Sequence, residues 1–490
     1  KLTKPDNPDD GDFGSEAWAF IPKNILPYLK YYKETNYCHL YYVDLTPYVF
    51  DASIKGSTAD IPSEDKTKDS WRTILIGGLN FGGACGGNNT GAVTPPSLSS
   101  PATGTGKSSY FAMDVTNPES PEIMWEFTDN NTAFTTTGPA IIHIPYKDNN
   151  GEDDNSKNGY WYVVFASGPD NYNGEVHQPL YLYVLDLKTG TLKRKIQLSG
   201  TADSVLGNIN AFAGRFFESQ TDLGKNYSDD VLYFGYTYKG SSWDGGILRL
   251  VTGNDPDVSH WKVSKLIDGV GPVTSGVSRL EDTGNGNLWV YFGEGRYFTS
   301  DDDKDANRTI YGVKDPCYGD ILTGGTDATS CETSVTKTNL TDVTDINDVP
   351  QSPPPYGWYI NLESSSGGYG AERVITDPVA TVNGWVFYTT FMPTSDICGF
   401  GGNTYMWMVN YDNGGVPQNV GGVIFVQVST GVIKKIELSK EFGTGKGAKG
   451  GRRLTTPIAG APSPSSGITV IVPPKPLKSL IQWRETPVRK

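Results

Sequence analysis

Apolar and polar residues alternate along most of this chain in short runs, and the runs come in pairs. Between Asn287 and Phe298, Leu288, Val290 and Phe292 interleave with Trp289 and Tyr291 before Gly293 and Gly295 break the pattern. A period of two places successive side chains on opposite faces of a strand, and apolar residues in both sets call for cover on both faces. The same signature opens WRTILIGGLNFGG (71–83), GYWYVVFASGPDNY (159–172), DVLYFGYTYKG (230–240) and GWVFYTTFMP (384–393). A second apolar run follows each: SSYFAMDVTNPESPEIMWEF (108–127), LYLYVLDLKTGTLKRKI (180–196), GGILRLVTG (245–253), RTIYGVKDP (308–316) and NTYMWMVNYDNGG (403–415). VIFVQVSTGVIKKIEL (423–438) and GITVIVP (467–473) supply a sixth unit.

Each pair reads as the middle of a four-stranded antiparallel sheet. DLKTG and QVSTG are hairpin turns whose glycine takes the positive-φ position. A sheet that is apolar on both faces cannot bury itself, whereas sheets packed in a ring cover one another and leave few long edges. The pattern predicts an all-β propeller with about six blades recognisable and few short helices.

Three stretches depart from it. PKNILPYLKYYKE (22–34) puts Ile25, Leu26, Leu29 and Tyr32 near helical spacing, but Pro27 limits it to a short helix or turn. Residues 317–357 read as a polar insertion without a core pattern, and GTGKGAKGGRR (443–453) as a basic, flexible turn. Residues 1–16 read as an N-terminal arm and 17–490 as one domain.

Composition narrows the function. Among 490 residues, Gly 58, Tyr 28 and Trp 11 suit strands joined by many turns. No run approaches the roughly 18–20 apolar residues of a membrane-spanning helix. The polar start KLTKPDNPDDGDFG has neither an initiator methionine nor an apolar signal core, and reads as a processed or trimmed chain. A net charge of −14 argues against nucleic acid, which needs a basic face, and fits a soluble exported protein.

The chain has five cysteines: Cys38, Cys85, Cys317, Cys331 and Cys398. None forms CxxC or CxxCH, so no haem attachment is expected. The four histidines (His39, His143, His177, His260) are far apart, which argues against zinc. Cys317 and Cys331 bracket a polar loop. They read as a disulfide constraining that loop or as two unpaired thiols, and the disulfide is the expectation adopted. HExxH, GxSxG and GxxxxGK[ST] are all missing, and GACGGNNTG (83–91) reads as a loop rather than a nucleotide site.

Six fragments in order, from FIPKNILPYLKYYKETNYCHLYYVDLTPYVFDASI, WRTILIGGL and YFAMDVTNP through LYVLDLKTGTLKRKI and LWVYFGEGRYF to RTIYGVKDP, resemble the C-terminal propeller domain of the PilC/PilY family. These are type IV pilus tip-associated adhesins and biogenesis factors. FMPTSDICGFGGNTYMWMVNYDNGG and KPLKSLIQWRE resemble its Geobacter-type branch. The resemblance implies a modified seven-bladed propeller, export, and residence on the pilus tip or outer membrane. It also implies an N-terminal region that is not visible here, as another chain or a removed segment. The first blade is then open to completion by a segment from elsewhere.

The family's calcium loop, D-x-D-x-D-G-x-x-D, supplies oxygens on alternate residues, a glycine turn and a closing carboxylate. Its counterpart is DLGKNYSDD, with Asp222, Gly224, Asn226 and Asp230 at the first, third, fifth and ninth places. Gly224 offers no side-chain oxygen, Tyr227 replaces the turn glycine, and Asp229 is a substitute ligand. A solvated hairpin is the favoured reading and a calcium loop the sharper one. DNNGEDDNSKNG (148–159) is a second acidic loop without a motif's register. SDDDKDANR (300–308) reads as a soluble blade tip open to a partner, with a structural role for Arg296.

The resemblance therefore implies a non-enzymatic adhesin and pilus biogenesis factor, open to calcium modulation. The implied partners are minor pilins and the tip complex, the N-terminal region of the same precursor, and a host, mineral or cell surface. The alternatives are a structural subunit of a surface filament and a quinone-dependent propeller dehydrogenase. The latter needs a repeated Trp-containing blade signature, and the tryptophans here occur in differing contexts.

Overall fold

The computed structural model describes residues 16, 18–33, 35, 40–55, 61–82, 108–216, 220–300, 302, 306–323, 329, 331–396, 400–463 and 468–471. Among the described residues, six sheets of three or more strands follow one another along the chain, and a two-stranded ribbon stands apart from them. Sheet one is Tyr48–Ser53, Trp71–Gly78, Tyr110–Asp114 and Glu122–Phe127, and sheet two is Ala140–Ile144, Tyr160–Ala166, Tyr181–Asp186 and Leu192–Gln197. Sheet three is built on Val231–Lys239, Trp243–Val251 and Lys262–Val270, and sheet four on Ser278–Asp282, Asn287–Gly293, Thr309–Lys314 and Gly357–Asn361. Sheet five centres on Trp385–Pro393 and Gly402–Asn410, and sheet six is Ile433–Glu437, Val423–Gln427 and Ile468–Ile471. Every pair of runs recognised in the sequence is a pair of adjacent antiparallel strands. Gly190 and Gly431 take positive φ (68° and 79°) in the two predicted hairpin turns.

Alternation decides the packing. Leu288, Val290 and Phe292 join a core cluster with Tyr233, Ile247 and Val251 of sheet three. Their neighbours Trp289 and Tyr291 join another with Val386, Tyr388 and Trp407 of sheet five. All five are fully buried, and each such side chain contributes roughly 1.5–3 kcal/mol or more. Further clusters join sheets one and two, two and three, and five and six. Sheets one and four stand three places apart in this order, yet Phe81 and Phe298, just beyond their second strands, meet at 6.2 Å. The stack therefore curves, as a propeller requires.

Four expectations change. Sheet one needs no segment from elsewhere: Tyr48–Ser53 pairs with Trp71–Gly78 and completes its four strands. The helical stretch is a 3-10 helix, Lys23–Lys33, so its inward face has a spacing of three. Ile25 and Tyr28 are buried, and Leu26, Leu29 and Tyr32 are exposed.

The insertion is not without a core. Val335–Thr336 adds a parallel edge to sheet three and Thr341–Asp342 another to sheet four, with Ile321, Val335 and Val343 buried. Cys317 and Cys331 form the expected disulfide, with Cα atoms 5.9 Å apart. Arg249 and Asp315, both fully buried, pair at 2.5 Å beneath it, and Arg249 also donates to Thr333 O. The basic turn, finally, is anchored. Arg452 is 1 % exposed and donates to the carbonyls of Val343, Thr344 and Gly414, while Arg453 lies over the Tyr405 ring at 3.7 Å.

Cys38, Cys85, Cys398 and residues 472–490 lie outside the described residues. No helix among the described residues is long and apolar enough to cross a membrane.

Candidate functional site: the acidic loops

The stretch 222–230 leads into the Val231–Lys239 strand of sheet three, and its shape follows from its side chains. Asp222 accepts N–H bonds from Asn226 (3.2 Å) and Tyr227 (2.9 Å), so its carboxylate folds the loop over itself. The Asn226 side-chain oxygen accepts from Ser228 N–H (3.1 Å), and Asp230 from Leu223 N–H (2.7 Å). Tyr227 holds a φ of 68°, the conformation that a glycine supplies more cheaply.

The second acidic loop meets the first, which nothing local in either sequence foretells. Asp153, in the ribbon formed by Tyr146–Lys147 and Asp153–Asp154, accepts from Asn226 Nδ2 (3.2 Å) and Asn254 Nδ2 (2.9 Å) and pairs with Lys147 Nζ (2.6 Å). Asp148 spends one oxygen on the N–H groups of Asn150 and Glu152, shaping its own turn. His143 donates its N–H to Asp229 (2.8 Å), and its Nδ1 lies 2.6 Å from Tyr227 O.

Gathering these carboxylates is electrostatically unfavourable. Burial pushes Asp230 up to about 6, and the charges of Asp222 and Asp153 add to the shift. Burial likewise pushes Asp229 up to about 7, against the lowering effect of the His143 hydrogen bond.

Calcium takes 6–8 oxygens that converge on one point. Here Asp222, Asn226 and Asp230 keep oxygens at the first, fifth and ninth places, but Gly224 contributes none at the third. Asp229, proposed as a substitute, is turned to His143 N–H. Asp153 faces two amide NH2 groups and an ammonium, the donors that stand where a cation would. Among the described residues, no group of three or more His, Cys, Asp or Glu side chains gathers to hold a metal. The residues present do not fit a resident calcium ion. The loop is closed by hydrogen bonds.

The tract SDDDKDANR divides. Asp301, Asp303 and Asp305 lie outside the described residues, but Asp302 is not a solvated tip. It is 9 % exposed, pairs with Arg296 Nε at 3.0 Å and accepts from Phe298 N–H (2.7 Å) and Thr299 N–H (3.0 Å). Arg296 lies over the Trp243 ring at 3.4 Å and donates to Asn173 O, so the expected structural role holds. The guanidinium ties a sheet-four loop to the Asn173 loop of sheet two and to Trp243, the first residue of a sheet-three strand.

No family model matches the chain. Among curated proteins, it is 26% identical over 435 residues to "Type IV pilus biogenesis factor PilY1 homolog" of Xylella fastidiosa, covering 82% of this chain and 25% of that protein. It is 24% identical over 529 residues to "Type IV pilus biogenesis factor PilY1" of Pseudomonas aeruginosa strain PAK, covering 96% of this chain and 40% of that protein. The chain thus spans well under half the length of these relatives. Among solved structures, the Pseudomonas aeruginosa PilY1 C-terminal domain matches with a TM-score of 0.53 and 18% identity, covering 87% of each chain. That likeness is one of fold, the beta-propeller.

Proposed function

We propose that this chain is a counterpart of the C-terminal propeller domain of the PilC/PilY family, and that it serves type IV pilus biogenesis and surface attachment by binding alone. The observation that carries the reading is similarity to pilus biogenesis factors across most of the chain, joined to the same fold. Its partners would be pilus components at the cell surface, minor pilins among them, and its ligand a host, mineral or neighbouring-cell surface. The non-enzymatic part draws support from how the buried charges are used: Arg249, Asp302 and Arg296 bind backbone and one another. The closed 222–230 loop is proposed to hold its shape without calcium.

Deletion of the encoding gene in its own bacterium tests this. Sheared surface pili and cell attachment are both expected to fall. The full-length gene should restore them, and a copy lacking these 490 residues should not. Unchanged piliation in the deletion strain overturns the assembly role. Normal attachment at reduced piliation overturns the adhesin role. Absorbance of a bound quinone in the purified protein would instead establish the dehydrogenase alternative.

A further inference from the structure

We propose that a groove running across sheets one to three binds a neutral glycan chain. The inference rests on the attachment reading above and names its ligand class. One cleft, of about 540 Å³, has Tyr160, Trp161 and Tyr162 in its wall. A second, of about 620 Å³, continues it along sheet one, and both are lined by Ile54 and Lys188. Each volume falls within the range of preformed ligand sites.

The walls are fixed before any ligand arrives. Trp161 Nε1 donates to Asn158 O (3.1 Å) and Ser53 Oγ (3.2 Å), and His143 packs on the indole at 4.4 Å. Tyr162 Oη donates to Pro256 O (2.6 Å) and Arg194 to Val258 O (2.6 Å), which hold the sheet-three turn against sheet two. A rigid site loses little freedom on binding.

Charge selects the ligand. Four cations line the groove (Lys55, Arg72, Lys188, Lys193), and so do four carboxylates (Asp114, Glu122, Asp186, Asp257). Arg72 pairs with Asp114 at 3.2 Å and Lys193 with Asp186 at 3.8 Å. The sum is zero, so the groove has no field to attract nucleic acid or an anionic lipid surface. An apolar peptide would leave these charges desolvated and unpaired. A neutral glycan offers hydroxyls that both donate and accept, and C–H faces that lie against aromatic rings.

The test titrates the purified protein with cellohexaose, xylohexaose, chitohexaose and maltohexaose, and with polygalacturonate as a polyanion, by calorimetry and tryptophan fluorescence. At least one neutral hexasaccharide is expected to bind, with affinity falling about tenfold in Lys188→Ala and in Lys55→Ala at unchanged melting temperature. The proposal is overturned if no neutral hexasaccharide binds at about 10 mM, if only polygalacturonate binds, or if both variants bind as the parent does. Pilus counts in cells carrying Lys188→Ala should stay normal. A failed titration therefore leaves the assembly role standing, and failed assembly in the deletion strain leaves the glycan result standing.

Discussion

Asp230→Asn separates a hydrogen-bonded loop from an ion-bound one, because the two give opposite signs. Asp230 is 7 % exposed, and its carboxyl is raised from 3.8 to about 6, burial being the chief cause. Below pH 4 the group is protonated in folded and unfolded chains alike and costs nothing. Between pH 4 and 6 the unfolded chain releases the proton while the folded chain keeps it, so stability falls as pH rises. Above pH 6 the loss is complete, at about 3 kcal/mol for a shift of roughly two units. Asparagine keeps an oxygen for Leu223 N–H and removes the charge. The variant should match the parent at pH 4 and exceed it by up to about 3 kcal/mol at pH 7.5. With 490 residues and about 2 cal/mol/K of unfolding entropy per residue, that is about 3 °C in melting temperature. Calorimetry at both pH values, with EDTA and with calcium chloride, reads it. A variant less stable than the parent at pH 7.5, with a parent melting temperature that climbs with calcium, would show a divalent ion neutralising the cluster and refute the argument.

Other contacts give further expectations. Reducing Cys317–Cys331, which closes a loop of 14 residues' separation, should cost about 3 kcal/mol. A Cys317→Ala/Cys331→Ala protein should melt alike with and without reductant. Arg249→Met leaves Asp315 charged in the core and should cost about 3–5 kcal/mol by denaturant titration, and the double change with Asp315→Leu should recover much of that loss. Arg296→Lys loses the stack on Trp243 and the fork toward Asp302 and Asn173. It should destabilise by about 1–3 kcal/mol and shift tryptophan emission, whereas an unchanged spectrum would mean the guanidinium does not sit on that ring.

The pairs of long strands were legible because both of their faces are apolar, a signal carried within seven or so residues, as in Leu288–Phe292. Two edge strands were not. Ala140–Ile144 is buried throughout, with His143 on the same run as its apolar residues, and Ser278–Asp282 is only half-buried and mostly polar, so neither alternates. The insertion's core was not legible because its buried residues, Ile321, Val335 and Val343, are separated by polar turns and pack on different sheets. Arg249 did leave a mark. It shares a strand face with Ile247 and Val251, where an apolar residue is expected, and a charge there demands a buried partner. That partner, Asp315, is 66 residues away, and sequence cannot name it.

The same distance decides the acidic loops. Asp222, Asn226 and Asp230 follow the spacing of an ion loop, and Gly224 and Tyr227 are the only departures from it that those nine residues show. What those residues cannot show is the partner from the other loop: Asn226 Nδ2 points to Asp153, 73 residues earlier. In SDDDKDANR, Asp302 reads like its neighbours until Arg296 and the Phe298 and Thr299 amides close on it. A run of carboxylates records how much negative charge a loop carries. Which N–H groups, amides and guanidinia meet that charge is set by the packing of sheets whose strands are far apart in the chain, and that meeting determines whether an aspartate binds an ion, faces a partner or holds the backbone in place.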